Sequence, residues 1–124
     1  MELRCYIVDD SIHFLDAAQT LLERDGVSVV GVASTIEQAL REVDDAEPDV
    51  VLVDVNLGSE SGLELARRMP RETGVDRSRV ILISADADDD VAELVQEVPV
   101  AAYLPKAGLS AAAVRRVLNA TVEG

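Results

Sequence analysis

The chain lacks the residues that mark secreted, membrane-spanning or thiolate-metal proteins. Its 124 residues include no tryptophan, one cysteine and one histidine. A single cysteine excludes a disulfide within the chain and a cluster of thiolate ligands, and the position of Cys5 inside an apolar run is typical of a small buried side chain. No apolar stretch approaches the ~20 residues of a membrane helix, and the first residues lead into a strand-length run rather than a signal peptide. We therefore expect a cytoplasmic protein that does not contact a membrane.

Positive charge is also scarce. The chain has 24 acidic and 11 basic residues, a formal net charge of −13, and Lys106 is its only lysine. An acidic surface repels phosphate backbones, so we expect no direct binding of nucleic acid by this domain. The charge instead favours binding of a cation or docking on a basic partner.

Short apolar runs alternate with helical patterns along the whole chain. Runs that stay apolar on successive residues suit strands buried on both faces, and they span 5–8, 50–53, 80–83 and 101–104. Residues 27–32 are predicted as a further strand. Five strand-helix units of this kind indicate an α/β fold with right-handed crossovers. We predict one domain over residues 1–124: a doubly wound, flavodoxin-like sheet of five parallel strands in the order 2-1-3-4-5, with helices on both faces.

Serine residues mark three of the expected helix starts. Capping boxes are predicted for Ser34 with Glu37 and for Ser61 with Glu64, and Ser110 is predicted to cap the fifth helix. A fourth helix is predicted from the apolar face formed by Val91, Leu94, Val95 and Val98.

Polar side chains stand where four of the strands end. Asp9 and Asp10 follow the first strand, Asp54 the third, Ser84 the fourth and Lys106 the fifth. Ligands gather at the carboxyl ends of parallel strands, and the predicted order makes the first and third strands neighbours. Clustered carboxylates repel one another unless one is protonated or a cation binds, and oxygen-only ligands select Mg²⁺ or a similar hard ion.

Asp54 ends the central strand and is the best candidate for a nucleophile. A carboxylate can attack phosphorus to form an aspartyl phosphate, and Mg²⁺, the Ser84 hydroxyl and the Lys106 ammonium could then neutralise the phosphoryl oxygens. Taken singly, each residue has a simpler interpretation, because aspartate and serine often cap helices or form turns and a lone lysine is usually solvated. His13, beside the acidic pair, is interpreted as a partly exposed helix residue.

Together these residues resemble the receiver domain of two-component response regulators, over essentially the whole chain. The matching segments are the pair Asp9-Asp10, DVNLG with Asp54, ILISA with Ser84, and YLPK with Lys106. The resemblance implies that Asp54 accepts a phosphoryl group from a sensor histidine kinase or a phosphotransfer protein. It also implies that Mg²⁺ is held by the acidic pair, Asp54 and the backbone carbonyl of Asn56.

The resemblance further implies a phosphorylation-dependent switch rather than an enzyme, one that promotes only its own phosphorylation and dephosphorylation. Ser84 would move towards the phosphoryl group and Tyr103 would turn inward. The responding surface would be the fourth helix, fifth strand and fifth helix, through which the domain could also self-associate. Asn56 and Asp86 flank the site and are predicted to tune hydrolysis of the phosphorylated form.

The chain departs from many members of that family at one place. Pro105 precedes Lys106 and Ala107 follows it, whereas proline often follows the lysine in the family. A cis bond after Lys106 is therefore not expected, and the isomer of the Leu104–Pro105 bond stays open.

Two other classes of function remain as alternatives. A phosphohydrolase of the haloacid-dehalogenase type also uses an aspartate nucleophile and Mg²⁺, but it needs an acid two residues later, where this chain has Asn56. A receiver-like interaction module that works without phosphorylation is the second alternative. Any output domain would lie outside these 124 residues.

Overall fold

Five parallel strands form one sheet in this computed structural model, which describes residues 3–85 and 97–123. The strand order is β2-β1-β3-β4-β5, as the sequence predicts, and every neighbouring pair is parallel. The strands are β1 (Leu3–Val8), β2 (Val27–Ala33), β3 (Val50–Asp54), β4 (Val80–Ser84) and β5 (Ala102–Pro105). The central position of β3 places Asp54 at the middle of the sheet's carboxyl edge.

Helices cover both faces of the sheet. They are α1 (Ile12–Arg24), α2 (Ile36–Ala46), α3 (Gly62–Glu72) and a C-terminal helix (Ala111–Glu123). The fourth helix is predicted from Val91, Leu94, Val95 and Val98. The first three lie outside the described residues, whereas Val98 is a buried, non-helical residue of the core layer that includes α2 and α3. None of the helices in the described ranges is long and apolar enough to cross a membrane.

Alternate residues of β3 supply the two core layers. Val51 and Val53 pack with buried residues of α2 and α3, whereas Val50 and Leu52 pack with buried residues of α1 and the C-terminal helix. All four side chains are fully buried, because a strand in the middle of a doubly wound sheet has a helix layer on each side. This burial fixes the register of β3 and therefore the position of Asp54 at its end.

The start of α2 differs by one residue from the prediction. Thr35, not Ser34, is the N-cap, and its Oγ1 accepts a hydrogen bond from the N–H of Gln38 at 3.1 Å. The Gln38 side chain accepts in turn from the N–H of Ser34 at 3.1 Å, so the reciprocal box uses Gln38 instead of Glu37. Ser34 and Thr35 are both suitable N-cap residues, and Glu37 and Gln38 are both suitable partners. Capping chemistry alone therefore allows the helix to begin at either position.

The other predicted caps lie where the sequence places them. The Ser110 hydroxyl accepts from the N–H of Ala113 at 3.0 Å. The Ser61 hydroxyl caps α3 by accepting from the N–H of Leu63 at 3.2 Å, one residue short of the predicted partner, Glu64.

Cys5 is fully buried in β1, as expected. Burial raises the pKa of its thiol to about 12. The thiol is therefore protonated at neutral pH and inert as a nucleophile.

Candidate functional site

Three carboxylates converge at the carboxyl edge of the sheet. Oxygen atoms of Asp9, Asp10 and Asp54 all lie within 4.8 Å of one another. The cause is the pairing of β1 with β3, in which Val8 stands opposite Val53, so that the next residues of the two segments, Asp9 and Asp54, become neighbours. Asp9 and Asp54 are buried, whereas Asp10 is exposed.

Asp9 is fixed by hydrogen bonds to backbone, and its second oxygen faces Lys106. Its backbone N–H donates to the carbonyl of Ala33 at 3.0 Å, and its Oδ1 accepts from the N–H of Ser11 at 2.8 Å. Oδ2 is buried and accepts no well-oriented hydrogen bond from the described residues, although Lys106 Nζ lies 2.7 Å away in an ion pair. A buried carboxylate oxygen without a hydrogen bond is suited to binding a cation.

Lys106 brings the positive charge of the site. Its Nζ lies 2.7 Å from Asp9 Oδ2 and 3.2 Å from Asp54 Oδ2. Burial lowers the pKa of this ammonium, but its contacts with the two aspartates outweigh burial and raise the pKa above its ordinary value. The face of the Phe14 ring completes its surroundings, with Nζ 4.2 Å from the ring centroid.

Asp54 is a carboxylate under opposing influences. Burial is the largest effect and raises the pKa of Asp54, and the negative charge of Asp9 raises it further. The N–H of Asn56 and the ammonium of Lys106 lower the pKa. The net pKa of Asp54 lies above its ordinary value. Its two oxygens have separate contacts, because Oδ1 accepts from Asn56 N–H at 3.2 Å and Oδ2 from Lys106. A divalent cation among the three carboxylates would favour the ionised form.

A short hairpin after β3 shapes the site from the side. Asn56–Leu57 pairs with Glu60–Ser61, and the Asn56 side chain accepts from the N–H of Gly58 at 3.1 Å. Gly58 has a φ of +74°, and a Cβ there would lie 3.0 Å from Asp10 Oδ2. The hairpin therefore approaches the acidic pair closely because this position carries no side chain.

Gly62, where α3 begins, is packed still more tightly. Its N–H donates to the carbonyl of Val55 at 2.8 Å, and a Cβ there would lie 1.8 Å from the carbonyl oxygen of Asp54. Neither glycine nor Phe14 was predicted as part of the site. The signal in the sequence was the presence of glycines shortly after the strand that carries Asp54, because glycine often marks a close approach of backbone.

The other residues singled out from the sequence are Ser84, Tyr103, His13 and Asp86. Ser84 is buried at the end of β4, opposite Pro105 in the register with β5. Tyr103 is half-buried on β5, opposite Leu82. His13 is exposed on α1, and Asp86 lies outside the described residues. All peptide bonds in the described ranges are trans, including Leu104–Pro105.

Residues 5–117 match the family model of the response regulator receiver domain. The chain belongs to this family. It is 30% identical over 105 residues to the sensory transduction protein LytT of Bacillus cereus, covering 84% of this chain and 41% of LytT. It is 30% identical over 110 residues to the response regulator GacA of Pseudomonas viridiflava, covering 87% of this chain and 50% of GacA. The receiver thus spans half or less of these two relatives.

Solved structures agree with the assignment. The receiver resembles the signal receiver domain of a modulated diguanylate cyclase from Desulfovibrio desulfuricans, with a TM-score of 0.79 and 27% identity over 99% of this chain and 95% of that chain. Receiver domains bind Mg²⁺ at an acidic pocket, and the cluster at the sheet edge could hold a metal ion. Asp9 Oδ2, which is buried beside Lys106 and accepts no well-oriented hydrogen bond, and the oxygen-only donor set of the cluster both fit such an ion.

Proposed function

We propose that this receiver is cytoplasmic, that Asp54 is its phosphoacceptor, and that a sensor histidine kinase or a phosphotransfer protein is the donor. The observation that carries the proposal is the position of Lys106. Its ammonium bridges Asp9 and Asp54 at the ends of two adjacent strands, within the same edge as Asp10. Such an arrangement surrounds one nucleophilic carboxylate with groups that can stabilise the charge of an incoming phosphoryl group.

The transfer is a substitution at phosphorus. An Asp54 oxygen forms the new P–O bond while the bond from phosphorus to the donor's imidazole nitrogen breaks, and the imidazole keeps the electron pair. Lys106 Nζ, already 3.2 Å from Asp54, would contact a phosphoryl oxygen. Ser84, buried at the neighbouring strand end, would offer its hydroxyl to another.

Asp9, Asp10, Asp54 and the backbone carbonyl of Asn56 are the proposed Mg²⁺ ligands. When bound, Mg²⁺ would offset the repulsion among the carboxylates and coordinate a phosphoryl oxygen. Because the Asn56 side chain is hydrogen-bonded inside its hairpin, its backbone is the better candidate ligand.

The proposed switch consists of Ser84 and Tyr103. They lie on β4 and β5, which are paired so that Leu82 faces Tyr103 and Ser84 faces Pro105. A movement of Ser84 towards a phosphoryl group would therefore change its contacts with the neighbouring strand, β5. The responding surface, and a site for self-association, would be the helix predicted before β5, β5 itself and the C-terminal helix.

Arg115 of the C-terminal helix contacts the end of α1. Its Nη2 donates to the carbonyl of Asp25 at the end of α1, at 3.1 Å. Asn56 and Asp86 are proposed to tune the lifetime of the phosphorylated form.

Phosphorylation is tested with a small donor. The protein is incubated with Mg²⁺ and acetyl phosphate, and the modified residue is located by mass spectrometry. We expect one phosphoryl group on Asp54, none on Asp54→Asn, and normal modification of Asp45→Asn, which changes an exposed aspartate of α2. Equal modification of Asp54→Asn would overturn the assignment.

Two further outcomes identify the alternatives. An unmodified wild-type protein that still binds its partner would favour an interaction module independent of phosphorylation. Continuous release of phosphate from many substrate equivalents would instead indicate a phosphohydrolase. Light scattering with and without beryllofluoride then shows whether the switch changes the oligomeric state.

A further inference from the structure

Phe14, an aromatic residue near the acidic cluster, has a charged partner. Phe14 lies one turn into α1, half-buried, and the ammonium of Lys106 stands 4.2 Å from its ring centroid. A cation within about 6 Å of an aromatic face is attracted by the ring's quadrupole, and more strongly where water is excluded. The Lys106 side chain is only 17% exposed, so the contact is largely shielded from water.

The ring differs from the other partners of Lys106 in what phosphorylation does to them. Asp9 and Asp54 hold the ammonium through ion pairs at 2.7 and 3.2 Å. Both carboxylates have other tasks under the proposed function, since one binds metal and the other forms the phosphoryl bond. Phe14 is neutral, so its attraction for the Lys106 ammonium persists when metal binds and when Asp54 is phosphorylated.

We propose that Phe14 is a positioning residue, which holds the Lys106 ammonium by a cation–π contact where it meets the incoming phosphoryl group. This inference rests on the proposed phosphorylation of Asp54. Phe14 acts through Lys106 and touches no reacting atom. Its loss would let the long lysine side chain leave the site while metal and donor are binding, which slows transfer without removing any reacting group.

A purely apolar role for Phe14 must be separated from this one. The ring also packs against the core layer shared by α1 and the C-terminal helix, so Phe14→Leu alone would change packing as well as the cation–π contact. Fluorination of the ring separates the two roles, because it weakens the quadrupole while nearly conserving shape. Phe14 is the only phenylalanine, so fluorinated phenylalanine supplied in growth medium changes this position alone.

The contact itself is tested in the unphosphorylated protein. Lys106 is the only lysine, so ¹³C-labelled lysine gives one set of side-chain NMR signals. We expect ring-current shifts of its terminal methylene in the wild type and in Phe14→Tyr, and their loss in Phe14→Leu. Identical lysine shifts in the wild type and Phe14→Leu would overturn the inference.

The positioning role is tested by the rate of phosphorylation with acetyl phosphate at saturating Mg²⁺. From one to three ring fluorines, we expect the rate constant to fall stepwise by about three- to tenfold in all, with the thermal midpoint unchanged. Phe14→Leu grown on the same amino acids takes up no fluorine and is the matched control. A rate constant independent of fluorination would overturn the inference.

The two readouts also separate this inference from the proposed function. If wild-type Asp54 is not phosphorylated but the ring-current shift is present, the phosphoacceptor assignment fails and the positioning role fails with it, while the cation–π contact stands. If Asp54 is phosphorylated at the same rate whatever the ring carries, only the positioning role fails.

Discussion

At the scale of single residues, Asp54 is a charged group in a place where charge is unfavourable. It is 5% exposed, and the carboxylate of Asp9 is close by. Burial and this repulsion outweigh the attraction of Lys106 and raise the pKa of Asp54 above 3.8, its ordinary value. The folded protein is therefore destabilised by ionised Asp54 unless a cation binds.

This destabilisation predicts a pH dependence with a definite sign. Because the folded pKa is raised, the folded state binds more protons than the unfolded state between the two pKa values, and stability falls as pH rises through that window. We expect Asp54→Asn to be more stable than the wild type at pH 7, with the difference disappearing as pH falls below 3.8. Urea unfolding between pH 3 and 7 in chelator measures it.

Asp45→Asn serves as the control for that experiment, because Asp45 is exposed on α2. Its difference from the wild type should stay small over the same range. A less stable Asp54→Asn protein at pH 7 would mean that Lys106 and the Asn56 N–H outweigh burial.

Gly62 supports the acceptor strand through backbone contact. A Cβ at this position would lie 1.8 Å from the Asp54 carbonyl oxygen, and backbone cannot turn aside as a side chain can. We expect Gly62→Ala to lower the free energy of unfolding by about 3 kcal/mol and to weaken Mg²⁺ binding. Urea unfolding and a Mg²⁺ titration measure the two effects.

Gly74→Ala is the matched substitution. A Cβ there would lie 3.3 Å from Asp44 Oδ1, which accepts a hydrogen bond from the Gly74 N–H at 2.8 Å but belongs to an exposed side chain and not to backbone. We expect a loss below about 1 kcal/mol and unchanged Mg²⁺ binding. Similar losses for both substitutions would contradict a specific role of Gly62.

These residues show how far sequence reasoning reached at the site. Asp9, Asp10, Asp54 and Lys106 were located because parallel strands end at one edge, a rule that needs only strand order. Phe14 belongs equally to the apolar face of a helix, and its position over Lys106 depends on the angle at which α1 packs. The pattern of apolar residues in the sequence does not determine that angle.

At the scale of elements, the end of α2 depends on an arginine from β1. Arg4 donates from Nη2 to the carbonyl of Ala46 at 2.6 Å and from Nε to that of Glu47 at 3.0 Å. Glu47 has a φ of 49°, so the helix ends in a left-handed residue whose own carbonyl needs a partner. Arg4 satisfies two carbonyls that the helix leaves unpaired.

We expect Arg4→Lys to destabilise the protein by about 1 kcal/mol, because an ammonium cannot hold two carbonyls in the planar geometry of a guanidinium. Arg67→Lys is the matched change, since Arg67 is exposed on α3 and has no hydrogen bond to the described residues. Thermal unfolding of both variants measures the difference. Equal midpoints would show that water replaces Arg4 at no cost.

The elements also show which local signals decide a boundary. Ser61 directly precedes α3 and caps that helix, as predicted. At α2, Ser34 and Thr35 compete, and the packing of Ile36 in the core decides between them. Local capping chemistry therefore predicts that a helix begins, whereas tertiary burial selects the residue.

At the scale of the molecule, net charge and the acidic site should respond differently to salt. The formal charge of −13 destabilises the compact state through self-repulsion, which any salt screens. The three carboxylates at the sheet edge should also let divalent cations stabilise the folded protein by binding, because the carboxylates come together only in the folded state. The two contributions can be separated by their dependence on ion type.

We expect NaCl to raise the urea midpoint gradually, and MgCl₂ at the same ionic strength to raise it further. At a Mg²⁺ concentration ten times the dissociation constant, the added stability should be about 1.4 kcal/mol. Asp10→Asn should remove this increment and keep the NaCl response, because exposed Asp10 contributes little to the fold but one oxygen ligand to the cluster. Equal effects of NaCl and MgCl₂ on the wild type would mean that the cluster binds no ion, since screening alone does not distinguish salts of equal ionic strength.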